Sequence, residues 1–430
     1  MTTGMRFDTL ASSAGYGHDE AARNQGSIIP PLYLTTAQHF SSAADMESAL
    51  SGETDGWIYS RLGNPTVRTL EAVVAALEGY CVDGEVSAVA TPSGMAAVTL
   101  ATSPFLAVSP NGPLNIVASA ACYGATFMVF SQRYAKERGV EVRWIPENAS
   151  PEEWAARIDQ HTRFVYAEVP ANPLLSLVDI PALAAIAHNA GAPLIIDATL
   201  ATPALMRPLG LGADIVVHAL GKAAGASGTS LAGAVVARRG ITSSVADPSV
   251  AEDFADYLRR GPVRDMGAVL SPFTAFMILN EIRDLRRRVD AMSCSALTIA
   301  EQLQTSNRVA DVFYPGLASH PSHELARQMV LVDSGDEADL VHRYGFLLSF
   351  RPVGGITAAT RVFDRLKLVW RANDLGRVKS TATIPAIGTH RQVVATPGTP
   401  PIPLDLIRLS VGLEHGDDIL DDLMQALETT

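Results

Sequence analysis

From residue 86 onward, short apolar runs alternate with stretches whose apolar residues recur at helical spacing. Strand-like runs fall at 86–91, 115–118, 140–145, 163–168, 194–196, 213–218 and 231–237, with helical patterns between them at 95–102, 127–137 and 181–189. This alternation predicts an α/β domain built on a parallel sheet. Residues 1–65 are rich in Ser, Thr, Gly and Pro with little periodicity and read as an extended arm. A helix is expected over 67–77 with Thr66 as its N-cap. The pattern divides the chain into the arm at 1–65, a large α/β domain at 66–270, and a linker helix with a smaller α/β domain at 271–430. The linker helix is the long helical pattern at 272–304, where Phe276, Leu279, Ile282 and Leu285 repeat at helical spacing. In the smaller domain, strand-like runs lie at 346–350 and 406–411, helical ones near 358–366 and 418–427, and a Pro/Gly loop at 397–401.

Composition narrows the function classes. The 430 residues are 47% apolar and 18% charged, which is globular, and the net charge of −12 makes nucleic acid and anionic membranes poor partners. The cluster Arg286-Arg287-Arg288 falls in a helical pattern and reads as a solvated face. No stretch approaches the ~20 apolar residues that span a bilayer, and no signal segment opens the chain, so a cytoplasmic location is expected. Cys81, Cys122 and Cys294 are too far apart to suggest a disulfide framework or a metal knuckle.

The candidate chemistry sits at strand ends. Asp197 closes the run 194–196, and Lys222 follows the run 213–218 by four residues. In an open parallel sheet such positions gather beside a ligand. A carboxylate and an amine on either side of an aromatic ring are what pyridoxal phosphate needs: the acid keeps the ring nitrogen protonated and the lysine forms the Schiff base. An N-cap aspartate and a solvated lysine would give the same spacing. Ser93-Gly94-Met95 opens a helix after a strand and offers free N–H groups to a phosphate, unless it is an ordinary turn. Tyr123, after another strand end, would stack on a cofactor ring or pack in the core. Asn172, before a proline, could aim its amide at a phenolate-like oxygen or simply make a turn. Arg408, between apolar neighbours, needs a paired anion, either a substrate carboxylate or a structural partner.

The order of motifs resembles the Cys/Met-metabolism family of pyridoxal phosphate enzymes, which includes cystathionine synthases and lyases, methionine γ-lyase and O-acetylhomoserine sulfhydrylase. The matching segments run from Phe7-Asp8-Thr9-Leu10 through PLYLTT, YSRLGNPT, SGMAA, YGATF, NPLLSLVDI, TPALMRPL and YPGLASHP to LIRLSVGLE, nearly the whole chain. The resemblance implies fold type I (aspartate aminotransferase-like), with a large, mostly parallel seven-stranded sheet and a smaller C-terminal α/β domain. It implies pyridoxal 5′-phosphate bonded to Lys222, with Asp197 on the ring nitrogen, Tyr123 stacked on the ring, and the Gly94 and Met95 amides on the phosphate. It further implies Tyr59 and Arg61 reaching the phosphate of a neighbouring subunit, Arg408 on the substrate α-carboxylate, and a homotetramer of dimers with shared sites.

Three departures accompany it. Ala219-Leu220-Gly221-Lys222 lacks the two hydroxyls that the family places before the lysine, so Ser93, Gly94, Met95, Tyr59 and Arg61 must compensate. The usual Asp-Asn-Thr reads Asp197-Ala198-Thr199, keeping Thr199, and Asp374 stands where a serine or asparagine lies near the substrate carboxylate. An acid there needs a proton or a cationic partner, such as an amine on an unusual substrate. Lys379 stands where lyases and synthases often carry glutamate and sulfhydrylases lysine. The activity implied is γ-replacement or γ-elimination on an O-acyl-homoserine-like amino acid through a vinylglycine-type intermediate, with Tyr59 or Tyr123 as general acid and sulfur, or carbon, as nucleophile. A lyase releasing a 2-oxo acid and ammonia is the alternative within that chemistry. An aminotransferase and a non-catalytic binding protein are the alternatives outside it.

Overall fold

Strands β1 (Val86–Thr91), β2 (Asn115–Ser119), β3 (Glu141–Ile145), β4 (Thr162–Glu168), β5 (Leu194–Asp197), β6 (Ile215–His218) and β7 (Gly233–Arg238) form one sheet in the order β1-β7-β6-β5-β4-β2-β3. The computed structural model describes residues 4–54, 56–107, 114–334, 340–388 and 402–428. The predicted loop at 397–401 lies outside them. Strands β3, β2, β4, β5 and β6 are parallel, whereas β7 runs antiparallel to both β6 and β1. The exception has a local cause. A parallel return needs a crossover, usually a helix, and the stretch between β6 and β7 is a lysine-bearing loop with only the short helical turn Ala223–Gly225.

Each strand feeds two cores, because successive side chains point to opposite faces. Val165, Ala167, Leu194, Ile196, Val216 and Val236 join one apolar cluster, and Phe164, Tyr166, Ile195, Ile215, Val217 and Val235 join the other. Burial on both faces explains why these strands read as unbroken apolar runs.

The helix Pro65–Glu78 buries Leu70, Val73, Val74 and Leu77, a stripe at helical spacing. Its N-cap is Asn64, not Thr66 as the sequence suggested: the Asn64 side chain accepts from the Thr66 N–H, and Pro65 takes the first helical position. Thr66 Oγ1 is used elsewhere, accepting from Tyr33 N and donating to Pro31 O.

The long helical pattern is two helices, Pro272–Ile282 and Leu285–Thr305, separated at Arg283-Asp284. The first packs on helix Pro65–Glu78, and the second on the smaller sheet. That sheet comprises β8 (Val309–Phe313), β9 (Leu347–Pro352), β10 (Trp370–Arg371), β11 (Thr381–Thr383) and β12 (Ile407–Ser410) in the order β10-β11-β12-β9-β8. Its core is continuous with one face of the large sheet.

The arm is less extended than its composition implied. It contains helices Phe7–Ser13, His18–Arg23 and Ala43–Ser51, and Phe7, Leu10 and Ala11 are buried in the chain's own main core. Phe7 packs edge-on against Tyr80, with ring centroids 5.7 Å apart, and its N–H donates to Asp333 Oδ2 at 2.8 Å.

Candidate active site

The parallel strands and β1 all point their carboxyl ends one way, and the candidate residues gather there. A cavity of about 220 Å³ is lined by residues from these ends, among them Ser93, Gly94, Met95, Tyr123, Asn172, Asp197, Thr199, Lys222 and Arg408. A wider cleft of about 920 Å³ beside Arg6, Tyr80, Glu85 and Asp253 contains none of the candidates.

Asp197 and Glu168 end adjacent strands in register, so two buried carboxyls lie side by side. Asp197 Oδ1 accepts from Thr199 N at 3.0 Å and Thr199 Oγ1 at 2.6 Å, and Oδ2 faces the Tyr166 hydroxyl at 3.4 Å. Thr199 Oγ1 also accepts from Ala219 N at 2.8 Å, tying the end of β5 to the loop after β6. Glu168 accepts from Tyr123 N at 2.6 Å and Asn172 N at 2.9 Å, so one carboxyl orients both candidates. Burial first, then the neighbouring Asp197, pushes Glu168 up to about 8, against the lowering effect of those two N–H donors and Arg408. Burial also raises Asp197, although its bonds from Thr199 and the nearby His218 oppose the shift. A cationic ring nitrogen at Asp197 would relieve this crowding of like charges.

Arg408 is 1% exposed. Its Nη1 donates to Asn172 Oδ1 at 3.0 Å and its Nη2 to the Asp374 carbonyl at 3.1 Å, while Nε has no partner among the described residues. Burial lowers it to about 10, with Tyr123, Asp374 and Glu168 opposing that shift. A buried guanidinium without a carboxylate partner and with an unused N–H is built to receive an anion.

Lys222 Nζ donates to Asp374 Oδ1 at 2.9 Å, and Asp374 Oδ2 accepts from Arg377 Nε at 2.7 Å. Asp374 is therefore paired within the chain. Burial pushes it up, but the bonds from Arg377 and Lys222, the charge of Lys222 and the Leu375 N–H outweigh burial and hold it below the usual carboxylate range.

Ser93 caps helix Gly94–Thr102 by accepting from Ala96 N at 3.1 Å, and the N–H groups of Gly94 and Met95 have no acceptor among the described residues. Gly94 is held close to the lysine loop: a Cβ on it would lie 2.6 Å from Ala219 Cβ. A Cβ at Gly221 would lie 2.6 Å from the Ser230 carbonyl oxygen, so a threonine cannot enter there without moving the backbone. The missing hydroxyls thus have different causes. At 221 the backbone has closed over the space, whereas at 219 only an oxygen is missing.

Tyr59 and Arg61 are not brought to this cavity in their own chain. Tyr59 is exposed, and Arg61 lies over its ring while donating to the Arg264 carbonyl at 2.7 Å. Lys379 stacks on Trp370, 4.7 Å from the ring centroid, and does not line the cavity. Sequence reasoning missed Glu168 and Asn373, which line the cavity, and Arg377, which holds Asp374. The signal available for Glu168 was its place at the end of a buried strand, the same signal that singled out Asp197.

The donor set fits pyridoxal phosphate. A buried carboxyl pair, free N–H groups at a helix start, a lysine nitrogen and an unsatisfied arginine face one small cavity at strand ends. Fold and site define a pyridoxal-phosphate enzyme of fold type I. Residues 8–428 match the family described as Cys/Met metabolism PLP-dependent enzyme, and the chain belongs to that family. It is 38% identical to an O-succinylhomoserine sulfhydrylase of Pseudomonas aeruginosa, over 99% of this chain and 96% of that protein. It is 35% identical to an L-methionine γ-lyase of Pseudomonas putida, over 99% of this chain and 98% of that one. A Campylobacter jejuni crystal structure containing N′-pyridoxyl-lysine-5′-monophosphate superposes with a TM-score of 0.86 at 30% identity, covering 99% of this chain and all of that one.

Proposed function

We propose that this enzyme replaces the γ-substituent of an O-acyl-homoserine-type amino acid with a sulfur nucleophile. The observation that carries the reading is the convergence of Lys222, Asp197 and Arg408 on one cavity, in a chain similar over its length to an O-succinylhomoserine sulfhydrylase. When bound, the cofactor supplies an electron sink that stabilises negative charge at the substrate's Cα and Cβ. Asp197 would hold the proton on the ring nitrogen, and the N–H groups of Gly94 and Met95, with Ser93, would take the phosphate. Asn172, with Glu168 behind it, would offer its side-chain amide to the ring oxygen. Arg408 receives the substrate α-carboxylate and so fixes which Cα hydrogen faces Lys222. Lys222 Nζ removes that proton and carries protons between Cα and Cβ, after which the Cγ–O bond breaks and a Cγ–S bond forms. Tyr123 borders the cavity and donates a proton to the departing group.

Elimination is the second reading, favoured by the similarity to L-methionine γ-lyases. Tyr59 and Arg61 complete the phosphate site of a neighbouring subunit in a tetramer of dimers. Support for that assembly comes from the exposed Ile28, Leu34, Trp57 and Tyr59 of the arm. Among the described residues, no helix is long and apolar enough to cross a membrane.

The deciding experiment incubates the protein with a panel of γ-substituted amino acids, with and without sulfide or thiols, and identifies products by mass spectrometry. Thioether or homocysteine formation is expected. Release of a 2-oxo acid and ammonia regardless of thiol would establish the lyase, and a borohydride adduct on any lysine other than Lys222 would sink both readings.

A further inference from the structure

The acid at 374 forms part of a closed chain of contacts around the lysine. Arg377 Nη1 donates to the carbonyl of Gly221 and, at 2.9 Å, to that of Gly225, gripping the backbone on both sides of Lys222. Its Nε holds Asp374 Oδ2 at 2.7 Å, and Asp374 Oδ1, also held by its neighbour Leu375 N at 2.9 Å, receives Lys222 Nζ at 2.9 Å. Arg377 is 9% exposed, so the arginine that aims the carboxylate is itself fixed. Besides Lys222, the titratable groups that line the cavity are Asp197, Glu168, Arg408 and Tyr123; Asp374 and Arg377 are not among its lining residues. Asp197 and Glu168 are bonded to Thr199, Tyr166, Tyr123 and Asn172, and among the described residues Asp374 is the carboxylate bonded to the lysine.

We propose that Asp374, aimed by Arg377, is a positioning residue for Lys222, the counter-ion that keeps the lysine nitrogen protonated and directed at the cavity while it is bonded to the cofactor. The inference rests on the reading of Lys222 as the cofactor lysine. Its chemistry is that of any ion pair: a carboxylate within hydrogen-bond reach favours the charged form of a nitrogen. A protonated lysine–cofactor link would be the electrophilic form that a substrate amine attacks. The pair also accounts for an acid so close to Arg408, where a substrate carboxylate is expected. The Asp374 charge is used by Lys222 and Arg377, and only its main-chain carbonyl touches Arg408.

The test uses the cofactor-loaded protein and the absorbance of the lysine–cofactor link, which differs between its protonated and unprotonated forms. In Asp374→Asn the midpoint of the absorbance titration moves to lower pH by about one unit or more. Asp374→Ser behaves in the same way, and Asp374→Glu recovers at least half of the shift. In the unsubstituted protein, raising the salt from 0.05 to 1 M moves the midpoint in the same direction by a smaller amount, because the pair is about one-third exposed and is screened. Midpoints unmoved by Asp374→Asn and by salt overturn the proposal, and the salt arm decides it alone if the variants lose their cofactor. A reduced adduct absent from Lys222 counts against the reading of the lysine instead.

Discussion

Asp197, Lys222 and Arg408 were legible because each is a charged residue in or just beyond an apolar run, where an uncompensated charge is costly and a function is the economical explanation. Glu168 carried the same strand-end signal but was passed over, since what distinguishes it is its partners: the nearby Asn172 N–H and, remote in sequence, the Tyr123 N–H and the Asp197 carboxyl. Its raised proton affinity has a measurable consequence. Burial beside Asp197 pushes Glu168 up to about 8, so the folded protein should keep its proton well above pH 4.5, near which the unfolded chain releases it. Between those values the folded state binds more protons, so stability falls as pH rises through the window, by a few kcal/mol at roughly 1.4 kcal/mol per unit. Thermal unfolding of the cofactor-free protein from pH 5 to 8 should show that decline, and Glu168→Gln, which has no such proton to lose, should give a flatter curve. A variant with an undiminished slope would assign the decline to other groups. Cofactor binding should flatten the unsubstituted curve as well, because a ring cation at Asp197 removes part of the repulsion.

At the scale of elements, the strands of the large sheet lie close to where the apolar runs placed them, with β1 matching its run at 86–91. The direction of β7 was not legible, because an apolar run reads alike in either sense and the evidence for reversal is the missing crossover helix. The split at Arg283-Asp284 was hidden for a similar reason: the apolar spacing continues across a break that only backbone geometry reveals. The lysine loop separates two substitutions that look equivalent in the sequence. Ala219→Ser returns an oxygen beside Gly94 without displacing backbone, and one hydrogen bond to a phosphate, worth ~1.5–3 kcal/mol, should tighten cofactor binding by about tenfold or more. Gly221→Thr forces a Cβ to within 2.6 Å of Ser230 O, so it should weaken cofactor retention and lower the melting temperature. Equilibrium titration of the apoprotein with pyridoxal phosphate distinguishes the two, and equal gains from both would show that the loop yields more than its packing suggests.

At the scale of the whole molecule, one cavity carries most of the chemistry, yet Tyr59 and Arg61 lie outside it in their own chain. If they serve a neighbour's phosphate, two inactive chains should repair each other. Lys222→Ala and Arg61→Ala proteins, each nearly inactive, are expected to regain activity when unfolded and refolded together, since one site in each mixed dimer then has both residues. Recovery no greater than that of the separate variants, with mixed dimers verified, would remove Arg61 from the site. The arm's docking on its own chain was only partly visible in the sequence. The polar composition of residues 1–65 suggested an arm, but the buried stripe of Phe7, Leu10 and Ala11 is too short to stand out as an amphipathic helix docked on its own chain.

That docking determines how the arm would respond to a protease. Residues 15–64 leave and rejoin the body at a single helix. At one end Gly15, with φ +73°, lies so close that a Cβ there would be 2.8 Å from Ala72 Cβ, and at the other Asn64 caps the same helix. Midway, Tyr33 N is tethered to Thr66 Oγ1 at 3.0 Å. The segment is thus pinned at both ends and at Tyr33. A single cut inside it would leave the short first fragment seated through Phe7, Leu10 and Ala11, so a nicked protein would migrate as one particle on a native gel and separate only in denaturant.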